Sequence, residues 1–360
     1  MRSDDVPALS RRRALLGLAA VGGVAAVGVG GLAEAAGWVR PDALTPADFA
    51  DRFEQIAGRH DGFRRNHAKG LAATGTFTST GAGAAVSRAA VFTPGSTLPV
   101  VGRFSLSGGL PDQPDKTDTV RGLGLMFRLP DGEQWRTAMV NLPVFPDSTP
   151  QGFYDRMLAS RPVPDTGKPD PAAMAAFLAD HPETAAAMKI IKQAPPSAGF
   201  ADDTYRGLNA FRATNAKGET TAIRWAAVPV QAVQSSEPPE SNDKNRLFDA
   251  LIDTISRGPV SWKLVLTVAD PADPTHDATL PWPAGRPSIE AGTITIDAVH
   301  TEAPGNARDI NFDPLVLPDG LAVSDDPLPV ARSAVYARSF NRRAREPKSS
   351  SAVVVPGDVR

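Results

Sequence analysis

The chain has 360 residues, 42% hydrophobic and 22% charged, enough for one large domain or two small ones with a sizeable buried core. The formal net charge is −2 and the basic residues are dispersed, which excludes the basic stripe of a nucleic-acid binder. The absence of cysteine excludes disulfides, thiolate nucleophiles, zinc–thiolate sites and iron–sulfur clusters together.

The N-terminus reads as a targeting segment. A polar start leads to Ser10-Arg11-Arg12-Arg13, an apolar run from Ala14 to Leu32, and the small-residue stretch Ala33-Glu34-Ala35-Ala36 that suits signal cleavage. Paired arginines ahead of a Gly- and Ala-rich, mildly hydrophobic core resemble a twin-arginine export signal. Residues 1–36 are therefore expected to engage the twin-arginine machinery and deliver the protein to the periplasm or another extracytoplasmic site. Retention as a membrane anchor is the alternative, because the run is close to the length of a bilayer span. No second stretch is long and apolar enough to cross a membrane.

In residues 38–62, Thr45-Pro46-Ala47-Asp48 forms the cap and first turn of a short helix, and FADRFEQIAG carries apolar positions at helical spacing. From 63 to 145 the pattern changes to GTFTST, AAVSRAAVF, LPVVGRFSL, GLGLMFRL and WRTAMVNLPVF, separated by Gly, Pro and Asp turns, which predicts an antiparallel sheet or barrel. Residues 151–194 read as helical, first in FYDRMLASR and then, after a Pro-rich break, in PAAMAAFLADHPETAAAMKIIKQ. Strands return in YRGLNAFRAT, TTAIRWAAVPV, SWKLVLTVA and GTITIDAV, interrupted by a helix in NDKNRLFDALIDTISRG capped by Asn242 or Asp243. A Pro/Asp-rich segment leads into ARSAVYARSFNRRAR, and residues 347–360 are expected to be a disordered tail.

Several short motifs follow one another in a telling order. Arg64 to Gly70 contains R-x-x-H-A-K-G, Val101 to Ser105 reads V-G-R-F-S, and Arg121 to Trp135 reads R-G-x-x-x-x-F-x-x-x-D-G-x-x-W. Phe312 to Tyr336, FDPLVLPDGLAVSDDPLPVARSAVY, adds F-D-P, P-x-G and R-x-x-x-Y. Together they resemble the haem catalase superfamily over roughly residues 45–345, with the helical insert at 151–194 matching least.

The resemblance implies an α+β fold: a catalase-like antiparallel eight-stranded β-barrel with external helices, spanning residues 37–346 and binding haem b. It makes Tyr336 the iron ligand and Arg332 its charged partner, a guanidinium beside the oxygen favouring the phenolate that ferric iron needs. It places Arg64, Arg103 and Arg343 on the haem propionates, where a planar fork pairs with a carboxylate in two hydrogen bonds. Phe153 falls where an aromatic ring stacks on the distal haem face. His67 becomes the residue that moves the peroxide proton from the inner to the outer oxygen, and Ser105 the residue that orients it.

The sequence also departs from the pattern. The distal asparagine of true catalases falls five residues after the tryptophan of D-G-x-x-W, where this chain has Val140, followed by Asn141-Leu142-Pro143. Asn141 can serve in its place, as a third catalytic residue, only if the strand slips by one residue, which would reverse its face. Asn66 is the other amide at hand. After export processing the chain is also expected to lack the large C-terminal helical region and much of the interlocking arms of full-length catalases. These departures point to the catalase-related peroxidases. The expected activity is reduction of hydrogen peroxide or organic peroxides by a small organic electron donor, with weak catalase activity at most and with homo-oligomerisation left open. The alternatives are a non-catalytic haem-binding or carrier protein and a hydroperoxide-rearranging haem enzyme. His60, His181, His276 and His300 are assigned to solvated or capping roles.

Overall fold

A computed structural model of the protein describes residues 44–358 except 164, 196 and 232–242, so the export segment lies outside the described residues. Strands β1 (Gly70–Ser79), β2 (Thr97–Leu106), β3 (Arg121–Arg128) and β4 (Gln134–Val140) form an antiparallel meander, and β5 (Tyr205–Arg206) continues it. After the short β6 (Phe211–Thr214), β7 (Thr220–Pro229) pairs with β5 and with β8 (Val260–Val268), and β9 (Ser288–His300) joins β8 to β1. The ring of β1, β2, β3, β4, β5, β7, β8 and β9 is thereby a closed eight-stranded antiparallel barrel, which leaves no free edge among those strands. β6 pairs with β7 and carries β10 (Leu321–Val323) outside the ring.

Alternation along the strands sorts the two faces. In β4, Trp135, Thr137 and Met139 point inward and are buried, while the alternate positions face out. Trp135 stacks on Phe127 with ring centroids 4.9 Å apart and meets Trp225 edge-on at 5.1 Å. Trp225 Nε1 donates to Thr137 Oγ1 at 3.0 Å, so this buried indole keeps a partner. The outer face of the β2–β5 wall is different in kind: Arg103, Ser105, Gly122, Gly124, Ala138 and Val140 leave a shallow, partly polar surface for the site.

Among the described residues, six helices lie outside the barrel: α1 (Pro46–Ala57), α2 (Pro150–Ala159), α3 (Pro171–Asp180), α4 (Pro182–Gln193), α5 (Arg246–Arg257) and α6 (Leu328–Ala344). The first turn of α2 is fixed by Thr149, whose Oγ1 accepts from Gly152 N at 3.0 Å. α5 buries Leu247, Phe248, Leu251 and Ile255 along one stripe. Its first free amides, Leu247 N and Phe248 N, donate to Asp115 Oδ2, a cap supplied from a distant loop. Among the described residues no helix is long and apolar enough to cross a membrane.

Local expectations fail at five places. AAVSRAAVF forms two 3₁₀ turns, Ala82–Ala85 and Ala90–Phe92, because Val91 and Phe92 are buried as a plug rather than laid along a ladder. The run expected as one helix over 171–193 breaks at His181, whose extended ψ of 70° is what the following Pro182 imposes. YRGLNAFRAT divides into β5 and β6 around a tight turn at Leu208. Asn245, not Asp243, precedes α5, with Asp243 Oδ1 accepting from Asn245 N; Asn242 lies outside the described residues. The tail expected to be disordered is packed over 347–358: Val353 is fully buried and Val355 N donates to Thr301 Oγ1 at 2.8 Å.

Candidate active site

His67 sits on the loop between α1 and β1, not on a strand, with a φ of +58° that a side chain rarely adopts. The neighbouring structure fixes this conformation. Asn66 Oδ1 accepts from His67 N at 3.0 Å and from Gly108 N at 2.8 Å. Two residues on, the buried Lys69 Nζ donates to Asp115 Oδ1 at 2.7 Å, tying the loop to the same carboxylate that caps α5. A strained histidine held this firmly is a common sign of a functional position.

The imidazole is oriented and kept neutral. Its Nδ1 lies 3.0 Å from Ser105 Oγ on β2, and its ring rests over Gly122, where an added Cβ would stand 3.2 Å from His67 Cε1 and 3.0 Å from Ser105 Oγ. Burial, then the positive charges of Arg103, Arg64 and Arg332, lower the His67 pKa to about 3.

Arg64, Arg103 and Arg343 come together on one side of the same cavity. Arg64 Nη2 donates to the carbonyls of Ala307 and Ile310, both at 3.0 Å, and Arg343 donates to the Arg308 carbonyl. Arg103 pairs with Glu302 through Nε at 2.7 Å and Nη2 at 3.0 Å. Burial, then the neighbouring guanidiniums, push Arg64 well below its ordinary value and Arg343 down to about 10. Burial opposes the charge on Glu302, but Arg103 outweighs it and holds the carboxyl below its usual range. Three buried cations crowd around Glu302, with Asp309 adding its charge at Arg343 alone, so the cluster fits a ligand that brings further carboxylates, as haem does through its two propionates.

A further wall comes from α6, the helix that also carries Arg343. Arg332 and Tyr336, one helical turn apart, lie on one face, with Arg332 Nη2 3.4 Å from the phenol oxygen. Arg332 also donates to Ala138 O at 3.0 Å and to Asn209 Oδ1 at 2.6 Å, and Asn209 Nδ2 donates to Asp326 Oδ2 at 2.8 Å. Asn209 is presented by a three-residue turn in which its N–H reaches Gly207 O at 2.8 Å, with Leu208 at a φ of +66°. Phe153 on α2 lines the cavity and stacks near Phe145, centroids 6.0 Å apart.

The cavity therefore gathers His67, Ser105, Arg64, Arg103, Phe153, Arg332, Tyr336 and Arg343. Asn141 is the exception and the expectation for it is corrected. The strands pair Gly122 with Val140 without a slip, so Val140 lines the cavity and Asn141 turns away. Its Oδ1 accepts from Arg121 N at 2.9 Å and its Nδ2 donates to Asp203 Oδ1 at 3.2 Å. Asn66 does line the cavity, its oxygen already engaged by two backbone amides. The sequence reading missed Glu302, Asn209 and Asp326. Each is a partner recognisable only once distant segments meet; the position of Asp326 two residues ahead of α6 was the one local hint.

The chain has relatives among known proteins. The sequence model of the catalase family matches residues 47–348. A catalase-related peroxidase of Synechococcus elongatus is 38% identical over 324 residues, covering 89% of this chain and 94% of that protein. A catalase-related peroxidase of Mycolicibacterium paratuberculosis is 33% identical, covering 86% of this chain and 98% of that protein. Among solved structures, a bacterial catalase superposes with a TM-score of 0.69 at 21% identity, covering 86% of this chain and 62% of the catalase chain.

Proposed function

Because the chain belongs to the catalase family, we propose that it works as a haem b peroxidase, reducing hydrogen peroxide or organic hydroperoxides with an external small organic electron donor and disproportionating little peroxide. Membership makes it an oxidoreductase acting on peroxide; the donor and the weak catalase activity are the proposal. The absence of cysteine removes thioether attachment and so supports a non-covalently held haem, which we take as haem b.

Tyr336 would hold the haem iron, and the bound haem would supply the metal centre at which the peroxide O–O bond is reduced. Arg64, Arg103 and Arg343 hold its carboxylates, and Arg332 keeps positive charge against the phenol oxygen of Tyr336. Ser105 occupies Nδ1 of His67, leaving Nε2 for the substrate. The neutral imidazole first accepts a proton from the peroxide's inner oxygen and then donates it to the outer oxygen as water or alcohol leaves. Phe145 and Phe153 line the approach with apolar surface and limit water.

Val140 is the observation that carries the peroxidase reading. It stands beside Gly122 and the His67 ring without an amide to place a second peroxide, and the Asn141 amide is committed to Arg121 and Asp203. Purified holoenzyme should oxidise an aromatic donor at the expense of peroxide while releasing little oxygen; oxygen release at rates typical of catalases overturns the reading. Export follows from residues 1–36, and cell fractionation with and without Arg11 and Arg12 tests it.

A further inference from the structure

The register of the cavity wall places four residues on a single cross-strand row: Ser105 opposite Gly122, Gly122 opposite Val140, and Val140 opposite Arg206. Directly opposed residues of antiparallel strands point to the same face, so Arg206 shares the surface on which Ser105 holds His67. At about 4.8 Å per strand, its Cα lies about 10 Å from Gly122, over which the imidazole rests.

Arg206 differs from the other arginines of the cavity. Arg103 has Glu302, and Arg64 and Arg332 have two or more close acceptors each. Arg206 has one bond, from Nη1 to Thr204 O at 3.2 Å, and no carboxylate among the described residues forms an ion pair with it. Asp203, the carboxylate whose charge reaches Arg206, is already committed to Arg121, Ser197 and Asn141. Burial lowers the Arg206 pKa, with Asp203 offsetting only part. Val140, Phe145 and Leu208 surround the cavity here with apolar groups, where an unneutralised cation is costly and an incoming anion is correspondingly favoured.

We propose that Arg206 is a specificity-determining residue that binds the carboxylate of the peroxide substrate, so that the preferred substrate is an organic hydroperoxide bearing a carboxylate. The inference rests on the peroxidase reading and deepens it. The apolar chain between peroxide and carboxylate lies along Val140, and the row sets the distance between the two ends. The reaction consumes a hydroperoxy acid, two electrons from the donor and two protons, and yields a hydroxy acid and water.

The test compares a medium-chain hydroperoxy acid with its methyl ester on the holoenzyme. The parent should favour the acid by about tenfold or more in kcat/KM, expressed mainly in KM, the scale of one charge-assisted hydrogen bond. Arg206→Gln should bring the ratio to near unity, and Arg206→Lys should retain part of it. Calorimetric titration with the product hydroxy acid gives a readout independent of turnover: parent binding should weaken with salt and be lost in Arg206→Gln. Equal use of acid and ester by the parent overturns the proposal. So does an unchanged ratio in Arg206→Gln, or loss of haem from that variant with the ratio intact, which would assign the guanidinium to the cofactor. Binding of the hydroxy acid without turnover of either peroxide would instead sink the peroxidase reading and leave the carboxylate site standing.

Discussion

Asn209 joins Asp326 to Arg332: its amide nitrogen donates to the Asp326 carboxylate at 2.8 Å, and its oxygen accepts from the guanidinium that touches Tyr336. Burial raises the Asp326 pKa to about 6, the bonds from Asn209 and Leu328 N offsetting only part. A folded-state value above the unfolded one means that the native protein binds more protons between about pH 4 and 6. This contribution therefore favours the fold at low pH and is lost as pH rises through that window, by about 3 kcal/mol in all. Asp326→Asn should remove that term, which urea unfolding of both proteins from pH 4 to 7.5 would show as a difference in slope.

His67 has the opposite displacement. With a pKa lowered to about 3 by burial and three guanidiniums, the imidazole is neutral throughout the physiological range. The kcat/KM for peroxide should therefore run flat from pH 8 to 5, and a titration step centred near 6.5 would contradict the assignment. His67→Ala should lower the peroxide step by about 10² to 10⁴, the usual contribution of a positioned acid–base group.

The arginine cluster makes apo and holo proteins respond in opposite directions. Arg343→Met removes one of three mutually repelling cations, and the apoprotein should gain about 1 to 3 kcal/mol of stability on thermal or denaturant unfolding. The same variant should release haem faster to an apomyoglobin trap. Loss of apoprotein stability would show that the cluster is balanced without a ligand.

Val140→Asn restores an amide beside Gly122, on the row that carries Ser105. Oxygen evolution from hydrogen peroxide should rise by about tenfold or more relative to donor oxidation, the scale of a newly made polar contact. An unchanged ratio would mean that Val140 does not limit disproportionation.

How much of this could be read beforehand depended on the range of the interaction. The barrel strands announce themselves locally, through alternation and turns, and Arg332 with Tyr336 needs only the helical repeat to come together. The serine–histidine pair was legible as two motifs, but not the left-handed backbone at His67, which the contacts of Asn66 with Gly108 and of Lys69 with Asp115 impose from elsewhere. Asn141 fell to register: a one-residue slip was conceivable in sequence and is excluded once Gly122 pairs with Val140. Arg206 was silent for the same reason, since its two-residue strand acquires meaning only beside β4.

The packed C-terminal segment has a consequence for assembly order. Glu346 accepts from Arg65 and from Gly62 N, Ser339 Oγ accepts from Arg65 N, and Ser349 Oγ donates to Asp61 O, so the loop bearing the imidazole is latched by residues 339–349. Ribosomes make that segment long after the loop. Until it emerges, the imidazole's loop has neither its latch nor the helix that faces it, and nascent chains cannot yet enclose a porphyrin between two finished walls.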